Sequence, residues 1–107
     1  MCKACDYSSL HTHTEYSALD GQGKIEELVA RAVELGQKHI AITDHGSMSG
    51  LWELQKEADK AGIKAVHGCE FYYERENDGK NGHLVILAKN NKGLENMFLM
   101  QEIAYVD

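Results

Sequence analysis

Short apolar runs alternate along this chain with stretches of helical spacing, and glycines and polar turns separate them. A chain patterned this way has few options: its helices must cover the faces of a sheet whose strands run largely parallel. Residues 8–14 read as a first strand, with Leu10, Thr12 and Thr14 on one face and His11 and His13 on the other. Asp20-Gly21-Gln22-Gly23 is turn chemistry. Residues 24–35 follow as a helix in which Ile25, Leu28, Val29 and Ala32 share a face, Glu26 and Glu27 suit the first turn, and Gly36 is the stop. Residues 39–43 form a second strand. Residues 49–61 form a second helix, with Leu51, Leu54 and Ala58 on one side and Gly62 after its end. Strands over 64–74 and 82–89 flank a polar loop. Asn91 can cap a third helix, in which Leu94, Met97, Phe98, Gln101 and Ala104 keep helical spacing. The expected order is β-α-β-α-β-β-α, an α/β domain, and the last strand pair need not be parallel.

Composition narrows the function classes. With 107 residues the chain holds one domain at most. Its formal charge of −6 comes without any Lys/Arg-rich stripe, so it is a poor DNA binder by itself. Bound divalent cations would offset part of that charge. No apolar run approaches the length of a membrane helix, and no apolar h-region follows Met1, so a cytoplasmic location is expected. Three cysteines make no disulfide framework. Cys2 and Cys5 form a CxxC that fits a metal or redox pair, or an ordinary reduced pair near a terminus. Cys69 fits a small core residue.

The chemistry-bearing residues fall at strand ends. His11 and His13 lie on the first strand, Asp44 and His45 follow the second, Glu70 lies on the third and His83 opens the fourth. Sites in parallel α/β folds form at the carboxyl ends of strands, where Asp44-His45-Gly46 and Asp20 both belong. On a strand, residues i and i+2 point the same way about 7 Å apart, so the two imidazoles of His-x-His can reach one metal ion. Simpler readings exist beside these. Asp20 also fits the first position of an Asp-Gly turn, His45 a residue bonded to backbone ahead of a helix, and His83 a polar strand-edge residue. Glu70 lies in an apolar strand, where a buried carboxylate requires a partner. His39 and His67 have no acidic neighbour and read as structural.

The wording of these segments resembles a known family. Residues 10–21, Leu-His-Thr-His-Thr-Glu-Tyr-Ser-Ala-Leu-Asp-Gly, resemble the opening of the PHP (polymerase and histidinol phosphatase) domain of bacterial DNA polymerase III alpha subunits. The segments at 24–29, 41–46, 61–64, 68–70 and 82–90 continue the match, over about residues 8–105. The Glu-Tyr-Ser and Leu-Asp-Gly wording is nearer the polymerase branch than histidinol phosphatase. The resemblance implies a distorted (β/α)7 barrel, of which residues 1–107 would be the N-terminal portion with no second domain. It implies metal ligands at His11, His13, Asp20, His45, Glu70 and His83, with Glu70 bridging two ions and Asp44 orienting a ligand. Glu70 and Asp44 are thus the expected catalytic residues. The implied cofactors are divalent ions (Zn, Mn or Fe), up to three in a complete domain. The implied reaction is phosphodiester hydrolysis by metal-activated water, associated with 3′–5′ exonuclease activity in DNA replication.

The same resemblance marks departures. The family's later cysteine and Asp-x-His ligands do not occur in this sequence, and neither do the carboxylates of a polymerase palm. The expected partners are therefore the remainder of the PHP domain and polymerase chain, with DNA reached through the complete polymerase and no membrane. Two other readings compete: a small stand-alone phosphoesterase completed by oligomerisation, and a non-catalytic interaction remnant that docks through an open sheet edge.

Overall fold

The computed structural model describes residues 7–17 and 21–106. The elements follow the alternation: α1 (Ile25–Glu34), β1 (His39–Ile42), α2 (Leu51–Ala61), β2 (Lys64–Glu74), β3 (Asn81–Leu87) and α3 (Asn91–Val106). The three strands form one sheet in the order β1-β2-β3. β1 runs parallel to β2, with His39 opposite Lys64 and Ile42 opposite His67. β2 and β3 are antiparallel, with Glu70 opposite Val85 and Tyr72 opposite His83.

Burial follows the helical spacing. Ile25, Val29 and Ala32 of α1 and Leu51, Leu54 and Ala58 of α2 are buried. All of these but Ala58 pack with Ile40, Ile42, Met48, Cys69, Phe71 and Met97 in one apolar core. Gly36 and Gly62 both take φ of 75°, the left-handed turn that ends a helix and that costs glycine least. Cys69 is fully buried, and burial pushes its thiol up to about 11, so it stays protonated at neutral pH.

Four expectations are corrected. Residues 8–14 carry no strand. The segment is extended, but side chains take the N–H groups that a ladder would use. Thr12 N donates to Thr43 Oγ1 (3.1 Å) and Thr14 N to the Asp44 carboxylate (2.6 Å). Among the described residues, one backbone bond joins it to the segment after β1, from Thr43 N to Thr12 O (2.8 Å). The cap of α3 is Asn90 and not Asn91: Asn90 Oδ1 accepts from Gly93 N at 2.9 Å. On α3 itself, Met97 is buried and Leu94 packs against the core, whereas Phe98 is half exposed, so the apolar face is narrower than its spacing suggests. Element ends also shift slightly: α2 begins at Leu51, and β3 spans Asn81–Leu87.

Candidate metal centre

β1 stops at Ile42, yet its pairing with β2 resumes further on. Glu70 N donates to Asp44 O and Gly46 N to Glu70 O, both at 2.9 Å, which makes an isolated bridge between His45 and Glu70. That bridge sets His45 beside Glu70. Antiparallel pairing carries His83 alongside from β3. The extended 7–14 segment supplies His11 and His13 from the other side. Because it keeps strand-like alternation, both histidine side chains turn to Glu70, while the backbone N–H groups of Thr12 and Thr14 and the Thr14 hydroxyl meet Thr43 and Asp44.

Four imidazoles therefore surround one carboxylate. His11 Nε2 and His13 Nε2 lie 2.8 and 2.7 Å from Glu70 Oε2. His83 Nδ1 lies 3.0 Å and His45 Nδ1 3.6 Å from the other oxygen, Oε1. The side chain of Glu70 is only 7% exposed, against 57% for His11 and 51% for His83. Burial pushes the Glu70 carboxyl up, but the bonds from His11 and His13, the positive charge at His45 and the bond from His83 outweigh it. The carboxyl is held at about 2. Glu70 is thus ionised at neutral pH despite its burial.

The donor set fits divalent ions. Two ligands about 2.1 Å from one ion, at tetrahedral or octahedral angles, lie roughly 3.0–3.4 Å apart. His11 Nε2 and His13 Nε2 are 3.2 Å apart, and both sit beside Glu70 Oε2. His11, His13 and Glu70 form one trio able to hold an ion; His45, Glu70 and His83 form a second. Glu70 belongs to both, through different oxygens. Nitrogen and carboxylate donors of this kind accept zinc, manganese and iron alike.

Asp44 is buried, and its carboxylate is spent on the chain beside the histidines. It accepts from Thr14 N, Thr14 Oγ1 (2.8 Å) and Ser17 Oγ (2.7 Å). Ser17 Oγ in turn accepts from His45 N at 3.0 Å. Asp44 thus braces the 14–17 turn that carries His13 toward Glu70. Asp20 lies outside the described residues, as do Cys2 and Cys5. His39 and His67 stand apart from both trios: His39 opens β1, and His67 on β2 has a buried Nε2 with no hydrogen-bond partner. Burial lowers the pKa of His67 and favours its neutral form.

Sequence reasoning missed the buried hydroxyls Thr14, Ser17 and Thr43, and it missed Tyr72, whose hydroxyl lies 3.3 Å from His45 Nδ1. A signal was present in the run of small hydroxyl residues beside the histidines, because such residues can satisfy a buried carboxylate without bulk. Nothing in the sequence separated Tyr72 from Tyr73.

Two kinds of comparison bear on this geometry. The sequence pattern of the PHP domain family matches residues 9–107, and the chain belongs to that family. Among curated proteins it is similar to the DNA polymerase III alpha subunits of Borreliella burgdorferi (40% identical over 92% of the chain) and Helicobacter pylori strain 26695 (38% over 94%). It spans only 9% of the length of each of these relatives. Among solved structures it is similar to a protein of Bifidobacterium adolescentis assigned as a metal-dependent phosphoesterase (26% identity, TM-score 0.67), covering 92% of this chain and 34% of that one. An amidohydrolase from Chromobacterium violaceum with bound sulfate gives 26% and 0.66, over 89% of this chain and 33% of that one. The α/β fold is thus consistent with part of a PHP barrel.

Proposed function

We propose that this chain forms the first part of a PHP phosphoesterase centre in a polymerase of the DNA polymerase III alpha type, acting as a 3′–5′ exonuclease domain in DNA replication. The observation that carries this is the buried Glu70 carboxylate, whose two oxygens each face a pair of imidazoles. His11, His13, Asp20, His45, Glu70 and His83 are the proposed ligands, with Glu70 bridging and Asp44 positioning. Bound divalent ions would supply acidity to turn water into a nucleophile near neutral pH, and positive charge to offset that of the phosphate oxygens. The chain's own residues would hold those charges in place: Glu70 would offset part of them from a buried position, and the Asp44–Thr14–Ser17 bonds brace the 14–17 turn. DNA would be held by the rest of the polymerase, since this chain carries a formal charge of −6. The cytoplasm follows from that role. No helix among the described residues is long and apolar enough to cross a membrane.

The test is reconstitution. The chain is co-expressed with the segment that follows the matched region in the polymerase relatives, and hydrolysis of a labelled single-stranded DNA 3′ end is measured with manganese or zinc. Metal-dependent release of nucleotides, reduced at least 100-fold by His13→Ala, supports the proposal. Assembly without any hydrolysis favours the non-catalytic reading, in which the open edge of β3 would dock a partner. Hydrolysis by the chain alone that appears only in its oligomers favours a stand-alone enzyme.

A further inference from the structure

The start of the sheet gathers a second set of side chains, away from Glu70. Register sets His39 of β1 opposite Lys64 of β2. The bond from Ala88 N to His67 O (2.8 Å) brings the end of β3 to the same place, and with it Lys89 and Asn90. α3 begins there, at Asn91. These residues line a cavity of about 380 Å³ that reaches Gln55 of α2 and Leu94 of α3. Glu70 lies six residues beyond Lys64 on β2, roughly 20 Å along an extended strand, so the cavity is separate from the metal centre.

Its charge runs against that of the chain. The sequence has 17 acidic residues against 11 Lys and Arg, yet among the described residues no carboxylate lines this cavity. Lys64 and Lys89 do line it, and neither forms an ion pair among the described residues. A concave wall of one sign concentrates ions of the other. Neutral donors adjoin the two ammonium groups. Asn90 spends its Oδ1 on Gly93 N at 2.9 Å and keeps its amide N–H groups, and Asn91 adds a second carboxamide.

His67 gives an independent sign of a ligand. On β2 it alternates with Ala65, Cys69 and Phe71, all of which belong to the apolar core or pack against it. An imidazole in that row buries its Nε2 without a hydrogen-bond partner. Such an atom costs stability unless a bound group meets it. Burial lowers the pKa of His67, so the ring is neutral and has one N–H to donate.

We propose that this cavity is an anion site that takes a phosphate group, held by Lys64 and Lys89 with His67 and Asn90 as neutral donors. A phosphate offers acceptor oxygens in several directions, which suits donors arriving from β2, from the end of β3 and from the start of α3. The volume is at the small end of the range for ligand cavities, about 300–1,000 Å³, and fits a compact ligand. A small phosphomonoester and a phosphate of a DNA strand share this chemistry. The site stands whether or not the four imidazoles around Glu70 hold metal.

Titrations of the metal-stripped chain, followed by the imidazole resonances of its histidines, test this. The probes are inorganic phosphate, thymidine monophosphate and an oligothymidine without a terminal phosphate, with acetate at matched ionic strength as the control. Phosphate should move the His39 and His67 resonances to saturation, while those of His11, His13, His45 and His83 stay in place. Lys64→Gln combined with Lys89→Gln should weaken this binding at least about 10-fold, as the loss of charge-assisted bonds requires. Lys80→Gln, on the exposed loop between β2 and β3, should leave it unchanged. Tighter binding of thymidine monophosphate supports a small phosphomonoester as the ligand, and tighter binding of the oligothymidine supports a DNA strand. The proposal is overturned by no saturable movement of His67, by equal binding of acetate, by binding that survives loss of both lysines, or by movement confined to His45 and His83.

Discussion

Glu70 concentrates the chemistry of this chain in one residue. An apolar strand segment, Val66 to Phe71, puts it in the core, and the nearby imidazoles then hold its carboxyl at about 2. A carboxyl lowered in the folded state from its ordinary value of 4.5 adds stability that is fully present above that value. This contribution fades as the pH falls from 4.5 toward about 2, because the unfolded chain then takes up the proton more readily. Wild-type protein should therefore lose stability through this window more steeply than Glu70→Gln, when urea midpoints are compared from pH 5 to pH 2.5 in metal-free buffer. Parallel acid limbs would deny Glu70 its native ion pairs. The sequence made Glu70 and its histidines legible because a carboxylate inside an apolar strand demands partners, and the histidines were the residues able to meet that demand. It did not make Asp44's partners legible. Those are hydroxyls and backbone N–H groups, and their contribution depends on a turn geometry that no spacing rule encodes.

At the scale of elements, the helices, β1 and β2 were legible because each has residues that must be buried, whereas β3, which has none fully buried, was legible from its apolar run alone. α1 and α2 present that face at helical spacing, and burial of Ile25, Val29, Leu51 and Leu54 follows it. Residues 8–14 misled because His11 and His13 alternate with Thr12 and Thr14 as strand residues do. Alternation reports which way side chains point and not whether a backbone ladder forms. Here Thr43 and Asp44 take the donors, so the segment keeps the pointing without the ladder. The cap of α3 was misplaced by one residue for a related reason: Asn90 and Asn91 are chemically identical, and only the bond to Gly93 N separates them. Asn90→Ala should destabilise the chain by about 1 kcal/mol, and Asn91→Ala by a few tenths at most, in thermal or urea unfolding. Equal effects would show that the Asn90 bond contributes nothing to α3.

On the scale of the whole molecule, one sheet serves two purposes. Its parallel pair and two covering helices build the core, and its antiparallel pair brings His83 over Glu70. Among the described residues β3 has a neighbour on one side only, and α3 shows Phe98, Leu99, Met100 and Ile103 to solvent. Such an edge and such a face favour association with further chain. The chain's 9% share of its polymerase relatives' length and 34% share of the Bifidobacterium adolescentis structure are in keeping with that. In the chain itself, Glu70 is proposed to join two imidazole pairs into a place for metal. Zinc binding by calorimetry on the purified, metal-stripped chain tests it most directly. Saturable binding is expected at neutral pH, reduced in part by His13→Ala and abolished at both trios by Glu70→Gln. Binding unchanged in Glu70→Gln, or none in the wild type, would contradict it.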